Sequence, residues 1–217
     1  MAAEAIDISP RLSQRTAVFP GDVPLLRTVA FDMGTGDAFT LSSLTTTVHL
    51  GAHADAPSHY EREGATIDRQ PLDLYWGRCE VIRVRAGAEC ASRRVGRADL
   101  DVKHNWVPAT PRLLIATLSY PDPDAWSADF LALEPALVDW LADAGVRLIG
   151  VDTPSVDCAD SKDLPAHARF AARGVSIIEG LVLAHVDCGE YELCALPLAL
   201  EGFDASPVRA ALRRASR

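Results

Sequence analysis

The chain has 217 residues, 48% hydrophobic and 24% charged, the composition of a globular domain rather than a disordered tail, a coiled coil or a disulfide-stapled miniprotein. With 21 Lys and Arg against 30 Asp and Glu, its formal charge of −9 repels phosphate backbones and anionic lipid, which argues against nucleic acid and membrane surfaces as partners. No run approaches the roughly 18 apolar residues of a membrane span, the start MAAEAIDISPRLSQRT lacks the basic flank and apolar core of an export signal, and Cys79, Cys90, Cys158, Cys188 and Cys194 form no C-x-x-C pair, so a cytoplasmic protein with reduced, structural thiols is expected.

No repeat, low-complexity run or linker divides the chain, and residues 1–217 are expected to fold as a single domain. Near the start, Gly34-Thr35-Gly36 lacks the third glycine of a dinucleotide loop, because Phe39 stands in its place, and reads as a turn. Runs rich in β-branched and apolar residues predict strands over Phe39 to Leu50, Cys79 to Val84, Arg112 to Leu118, Val146 to Val151 and Val175 to Leu183. Between the third and fourth of these, Leu137, Val138 and Leu141 share a helical stripe, with Pro135 in the first turn and Gly145 past the end, so Glu134 to Ala144 reads as a helix. The closing SPVRAALRRAS reads as a second helix opened by Ser206 and Pro207. Strands outnumber helices, which predicts an α/β domain with a mixed, partly antiparallel sheet.

The informative stretch is His49-Leu-Gly-Ala-His53-Ala-Asp55-Ala-Pro-Ser-His59, which holds three of the six histidines. A helix would put His49 and His53 on one face, but the preceding TTTV run, Gly51 and Pro57 oppose helix. In an extended chain side chains alternate, so His49, His53, Asp55 and His59 would point to one side with Gly51 leaving room. Singly, each histidine reads as a surface residue of a polar loop. Together, the imidazoles and the carboxylate make a ligand set suited to zinc, with manganese or iron as alternatives. His59, beyond Pro57, is free for proton transfer at neutral pH.

Further ligands would have to come from elsewhere in the chain. His167 ends the polar loop VDTPSVDCADSKDLPAH, and Glu179 sits inside VSIIEGLVL, where its neighbours bury it. A buried carboxylate needs a partner, which is either a metal or an arginine such as Arg173 or Arg147. Asp152, at the end of a strand, either orients a ligand or caps the following loop. No G-x-S-x-G elbow surrounds Ser155 or Ser176, and no signature marks Cys158 or Cys188 as a nucleophile.

These residues resemble the cyclase-type metal-dependent hydrolases, whose signature is H-x-G-T-H-x-D-x-P-x-H, and within them the bacterial kynurenine formamidase (arylformamidase) branch. The likeness runs from VFPGDVPLL through LTTTVHLGAHADAPSHY, GRCEVIRV and LIGVDTPSVD with SKDLPAH to IIEGL. Ala52 replaces the signature threonine, and Phe19 stands where tryptophan is common; neither change removes a ligand. The resemblance implies a swivelling β/β/α fold, a homodimer and two Zn2+ per subunit. It implies that His49, His53 and Asp55 bind the first ion, that His167 binds the second, and that Asp55 and Glu179 bridge both. It further implies His59 as general acid/base and Phe19 against the aromatic part of the substrate. The implied reaction is hydrolysis of N-formyl-L-kynurenine to L-kynurenine and formate in tryptophan degradation, with a metal-activated water as nucleophile. The alternatives are a cyclic amide or lactam hydrolase of the isatin hydrolase kind, and a non-catalytic metal-containing binding protein.

Overall fold

Residues 4–85 and 93–215 are described by a computed structural model. In chain order they form β1 (Ile6–Asp7), β2 (Leu26–Phe31), β3 (Leu41–Thr45), β4 (His53–Asp55), β5 (Trp76–Arg83), β6 (Arg94–Val95), β7 (Arg112–Ala116), β8 (Ala132–Leu133), α1 (Pro135–Asp143), β9 (Leu148–Val151), α2 (Pro165–Arg173), β10 (Ser176–Glu179), β11 (Gly189–Cys194), β12 (Ala205–Pro207) and β13 (Ala211–Arg214). Nine strands make one mixed sheet in the order β1-β13-β11-β5-β7-β9-β10-β4-β12, while β2 and β3 form a separate hairpin and β6 and β8 a short pair. This is the expected α/β architecture.

The centre of the sheet is parallel, from β5 through β7 and β9 to β10. Of these, β7 (RLLIA), β9 (LIGV) and β10 (SIIE) are buried along their whole length, as strands covered on both faces must be. On one face, Leu113, Ile115, Ile149, Val151 and Ile177 pack with Leu137, Val138 and Leu141 of α1 and Phe170 of α2. On the other, Val81, Leu114, Leu148 and Ile178 join Ala54 and Tyr191. The edges are antiparallel: β4 adds to β10, and β11 adds to β5.

The structure corrects four sequence expectations. The closing SPVRAALRRAS is two strands, not a helix. Ala, Leu and Arg favour helix, but the free edge of β11 offers a backbone ladder, Leu212 is buried, and Arg213 and Arg214 pair with Glu192 and Asp187. The strand expected over Phe39 to Leu50 covers only Leu41–Thr45, and the one expected over Val175 to Leu183 ends at Glu179. The histidine segment is not one extended run: Gly51 has a φ of 58°, β4 is three residues long, and Pro57–His59 is a single 3-10 turn. Cys79 is a buried free thiol, Cys158 is buried, Cys188 and Cys194 are exposed free thiols, and Cys90 lies outside the described residues.

Candidate metal centre

The site forms where the parallel strands end. Glu179 closes β10 and lies directly opposite His53 across the antiparallel ladder. Asp55 is two residues further along β4, so it shares the face of His53 and of Ile177, its own cross-strand partner. Ile177 packs with Ala166 and Phe170 of α2. From that helix, buried His167 meets the same point. The tight turn before β4 supplies His49, and the turn after it supplies His59.

Asp55 is at the centre. His49 Nδ1 lies 3.2 Å from Oδ1, His53 Nε2 3.5 Å from Oδ1, and His167 Nε2 3.6 Å from Oδ2. Glu179 approaches the same two inner nitrogens, Oε2 at 3.3 Å from His53 and Oε1 at 3.7 Å from His167. Its Oε1 also accepts from the Val156 amide at 2.7 Å. Neither Arg147 nor Arg173 reaches Glu179, since they pair with Asp73 and with Asp143.

The outer nitrogens are tethered. His53 Nδ1 donates to the Gly51 carbonyl at 2.9 Å, His167 Nδ1 to Asp157 at 2.9 Å, and His49 Nε2 to Asp204 at 3.0 Å. A carbonyl or carboxylate oxygen can only accept, so these bonds keep a proton on each outer nitrogen and turn the other nitrogen toward the carboxylates. Burial alone would lower the His49 and His167 pKa values. The carboxylates outweigh it: Asp55 and Asp204 raise His49 to about 9, and Asp157 and Asp55 raise His167 to about 10. Asp55 is held well below the carboxylate range because the surrounding histidines overcome its burial.

Two of these partners have no precedent in the sequence reading. Asp157 accepts from the Ala166 and His167 amides as well as from the His167 ring, so one carboxylate caps α2 and orients its histidine. Its signal was present in the same polar segment, ten residues before His167. Asp204 has no local signal; it is brought in by the β12–β4 pairing and by the bond from Ala56 N to its carbonyl. Its Oδ2 also accepts from His59 Nδ1 at 3.3 Å. Asp152 is a cap, but on the neighbouring strand's exit, accepting from the Thr117 and Leu118 amides at 2.8 and 2.9 Å.

A cavity of about 1000 Å³ opens over this cluster, with the histidines and Glu179 at one side and Phe19, Tyr120 and Trp126 among its apolar lining. Phe19 and Trp126 meet edge to face, their ring centroids 5.0 Å apart. Cys79, whose thiol burial pushes up to about 12, is no nucleophile at neutral pH.

The Cyclase family matches residues 6–158, a span that contains the whole histidine segment. The chain belongs to the Cyclase family. It is similar over its full length, and over all of that chain, to a structure described as a potential metal-dependent hydrolase with cyclase activity, at 27% identity and a TM-score of 0.79. A predicted metal-dependent hydrolase from Bacillus stearothermophilus is 28% identical over 98% of each chain, with a TM-score of 0.77. Isatin hydrolase A from Labrenzia aggregata shares the fold at 19% identity and a TM-score of 0.77, covering 98% of this chain and 94% of its own.

The divalent metal implied for this family member fits the residues present. His53 Nε2 and both Asp55 oxygens are buried without a hydrogen-bond partner. Oxygens of two carboxylates and the inner nitrogens of three imidazoles converge there, a donor set that a metal cation fits by displacing ring protons and that an apolar filling does not satisfy. Ligand atoms of His53, Asp55 and Glu179, and separately of His49, Asp55 and His59, come within 4.8 Å of one another, so Asp55 belongs to both groups.

Proposed function

We propose that this Cyclase-family chain is a metal-dependent amide hydrolase, a formamidase that converts N-formyl-L-kynurenine to L-kynurenine and formate. The observation that carries this reading is the joining, in one cavity, of the carboxylate–imidazole cluster to the Phe19–Trp126 wall. His49, His53, Asp55, His167 and Glu179 are the assigned holders of one or two divalent ions, with zinc the first choice for this nitrogen and oxygen set. When bound, such an ion lowers the pKa of water toward about 7 and polarises a carbonyl oxygen.

The chain's own residues do the rest. Phe19 and Trp126 receive the aryl ring, aiming the formyl group at the cluster. An arylamine leaves poorly unless its nitrogen is protonated as the C–N bond breaks. His59, which lines the cavity with Nδ1 held by Asp204, is assigned to take a proton and return it to that nitrogen. The proposed active form is a homodimer, supported by the exposed apolar residues of the separate β2–β3 hairpin.

The test is kynurenine release from N-formyl-L-kynurenine by purified protein, before chelation, after it, and after zinc is restored. Release that stops on chelation and returns with zinc is the expected result. A metal-loaded protein that leaves this substrate intact but opens isatin would instead be a lactam hydrolase, and one that acts on neither would be a binding protein.

A further inference from the structure

The cavity carries a single basic side chain apart from its histidines. Among the described residues that line it, Arg11 is the one Lys or Arg, against the carboxylates of Asp22, Asp152, Glu179 and Asp204. Its guanidinium has no ion-pair partner within the described residues. The backbone that carries it is nevertheless fixed. The Arg11 carbonyl accepts from the hydroxyl of buried Thr16 at 3.5 Å, and a Cβ on Gly51 would come within 2.5 Å of Leu12 and 3.0 Å of Pro10. Both neighbours of Arg11 therefore press on the turn that leads into β4, and the arginine is anchored at the wall of the cavity beside the histidine segment.

A guanidinium is a planar fork of five donors that matches a carboxylate two bonds at a time. In a chain of net charge −9, with a cavity that is itself acidic, an anionic ligand arm would be repelled unless a local cation received it. We propose that Arg11 binds a carboxylate on the substrate, so that the site selects aryl amides bearing an anionic arm beyond the ring. The proposal rests on the amide-hydrolase reading above and deepens it: the ring lies against Phe19 and Trp126, the amide at the cluster, and the α-carboxylate at Arg11.

Equilibrium binding tests it separately from turnover. The metal-loaded protein and its Arg11→Gln and Arg11→Lys variants are titrated calorimetrically with L-kynurenine and with kynurenamine, the same molecule without its carboxylate. Arg11→Gln is expected to weaken L-kynurenine about tenfold without weakening kynurenamine, with Arg11→Lys in between. An unchanged ratio of the two affinities, equal losses for both ligands, or a wild-type protein that binds neither overturns the assignment. If the wild type fails to hydrolyse N-formyl-L-kynurenine yet keeps the Arg11-dependent discrimination, the formamidase reading fails and the carboxylate site stands.

Discussion

His49, His53 and His167 each turn one nitrogen toward the buried carboxylates and give the other to an oxygen that can only accept. The inner faces must then carry either protons or a cation, and the two compete. In metal-free protein His49 and His167 hold their protons up to about pH 9 and 10. Their folded-state values lie above the ordinary histidine value, so they stabilise the metal-free fold fully below about pH 6.5 and lose that contribution as pH rises through 9 to 10. Metal uptake near neutrality displaces the proton of each imidazole that becomes a ligand, so the apparent affinity of each ion should rise by about one decade per pH unit for each such imidazole between pH 7 and 8, measured by competition with a chromophoric chelator. An affinity flat in pH would mean that neither imidazole is displaced. His59→Ala should lower turnover by about 10²- to 10⁴-fold while the ion of the His53–Asp55–Glu179 group is retained, whereas Asp55→Ala should lose both turnover and metal, as read by elemental analysis beside kinetics.

At the scale of elements, the site depends on how the end of β10 meets the turn before β4. Gly180 has a φ of 66°, and a Cβ there would lie 2.1 Å from the Gly51 carbonyl oxygen, the same atom that accepts from His53 Nδ1. Gly180→Ala is therefore expected to destabilise the fold by about 2 kcal/mol or more and to weaken metal binding, seen in denaturant unfolding and chelator competition; unchanged values for both would disprove the coupling. The second helix repeats the signals that predict the first, a proline at the opening and a glycine at the close, Pro165 and Gly174. Ala166, His167 and Phe170 form its buried stripe, but only two of these are apolar, so the periodic signal is weak. The segment reads as polar loop because its histidine is buried for chemistry rather than for hydrophobicity.

For the molecule as a whole, the hairpin of β2 and β3 stands apart from the nine-stranded sheet, and every residue of both strands is exposed. Met33 and Leu44 are 62% and 64% exposed, and Leu26, Phe31, Phe39 and Leu41 add to the same arm. Apolar surface of this kind is the basis of the homodimer proposal. Under the homodimer proposal, Phe31→Asp combined with Leu44→Asp should shift sedimentation from dimer to monomer; a wild-type protein that sediments as a monomer would end that proposal.

The sequence by itself determined the class of fold, the central strands, α1 and the clustering of His49, His53, Asp55 and His59, because these depend on local pattern: continuous apolar runs, helical spacing, and donors packed into a few residues. It also marked Glu179, since a carboxylate among Val, Ile and Leu is anomalous wherever the strand lies. Only the tertiary structure decided that the C-terminal Ala211–Arg214 is a strand, because the free edge of β11 outweighs helix propensity. It alone brought Asp204 to His49 and His59. Such contacts are created by strand order and helix docking, and side chains separated by up to 155 residues carry no mark of them in their local sequence.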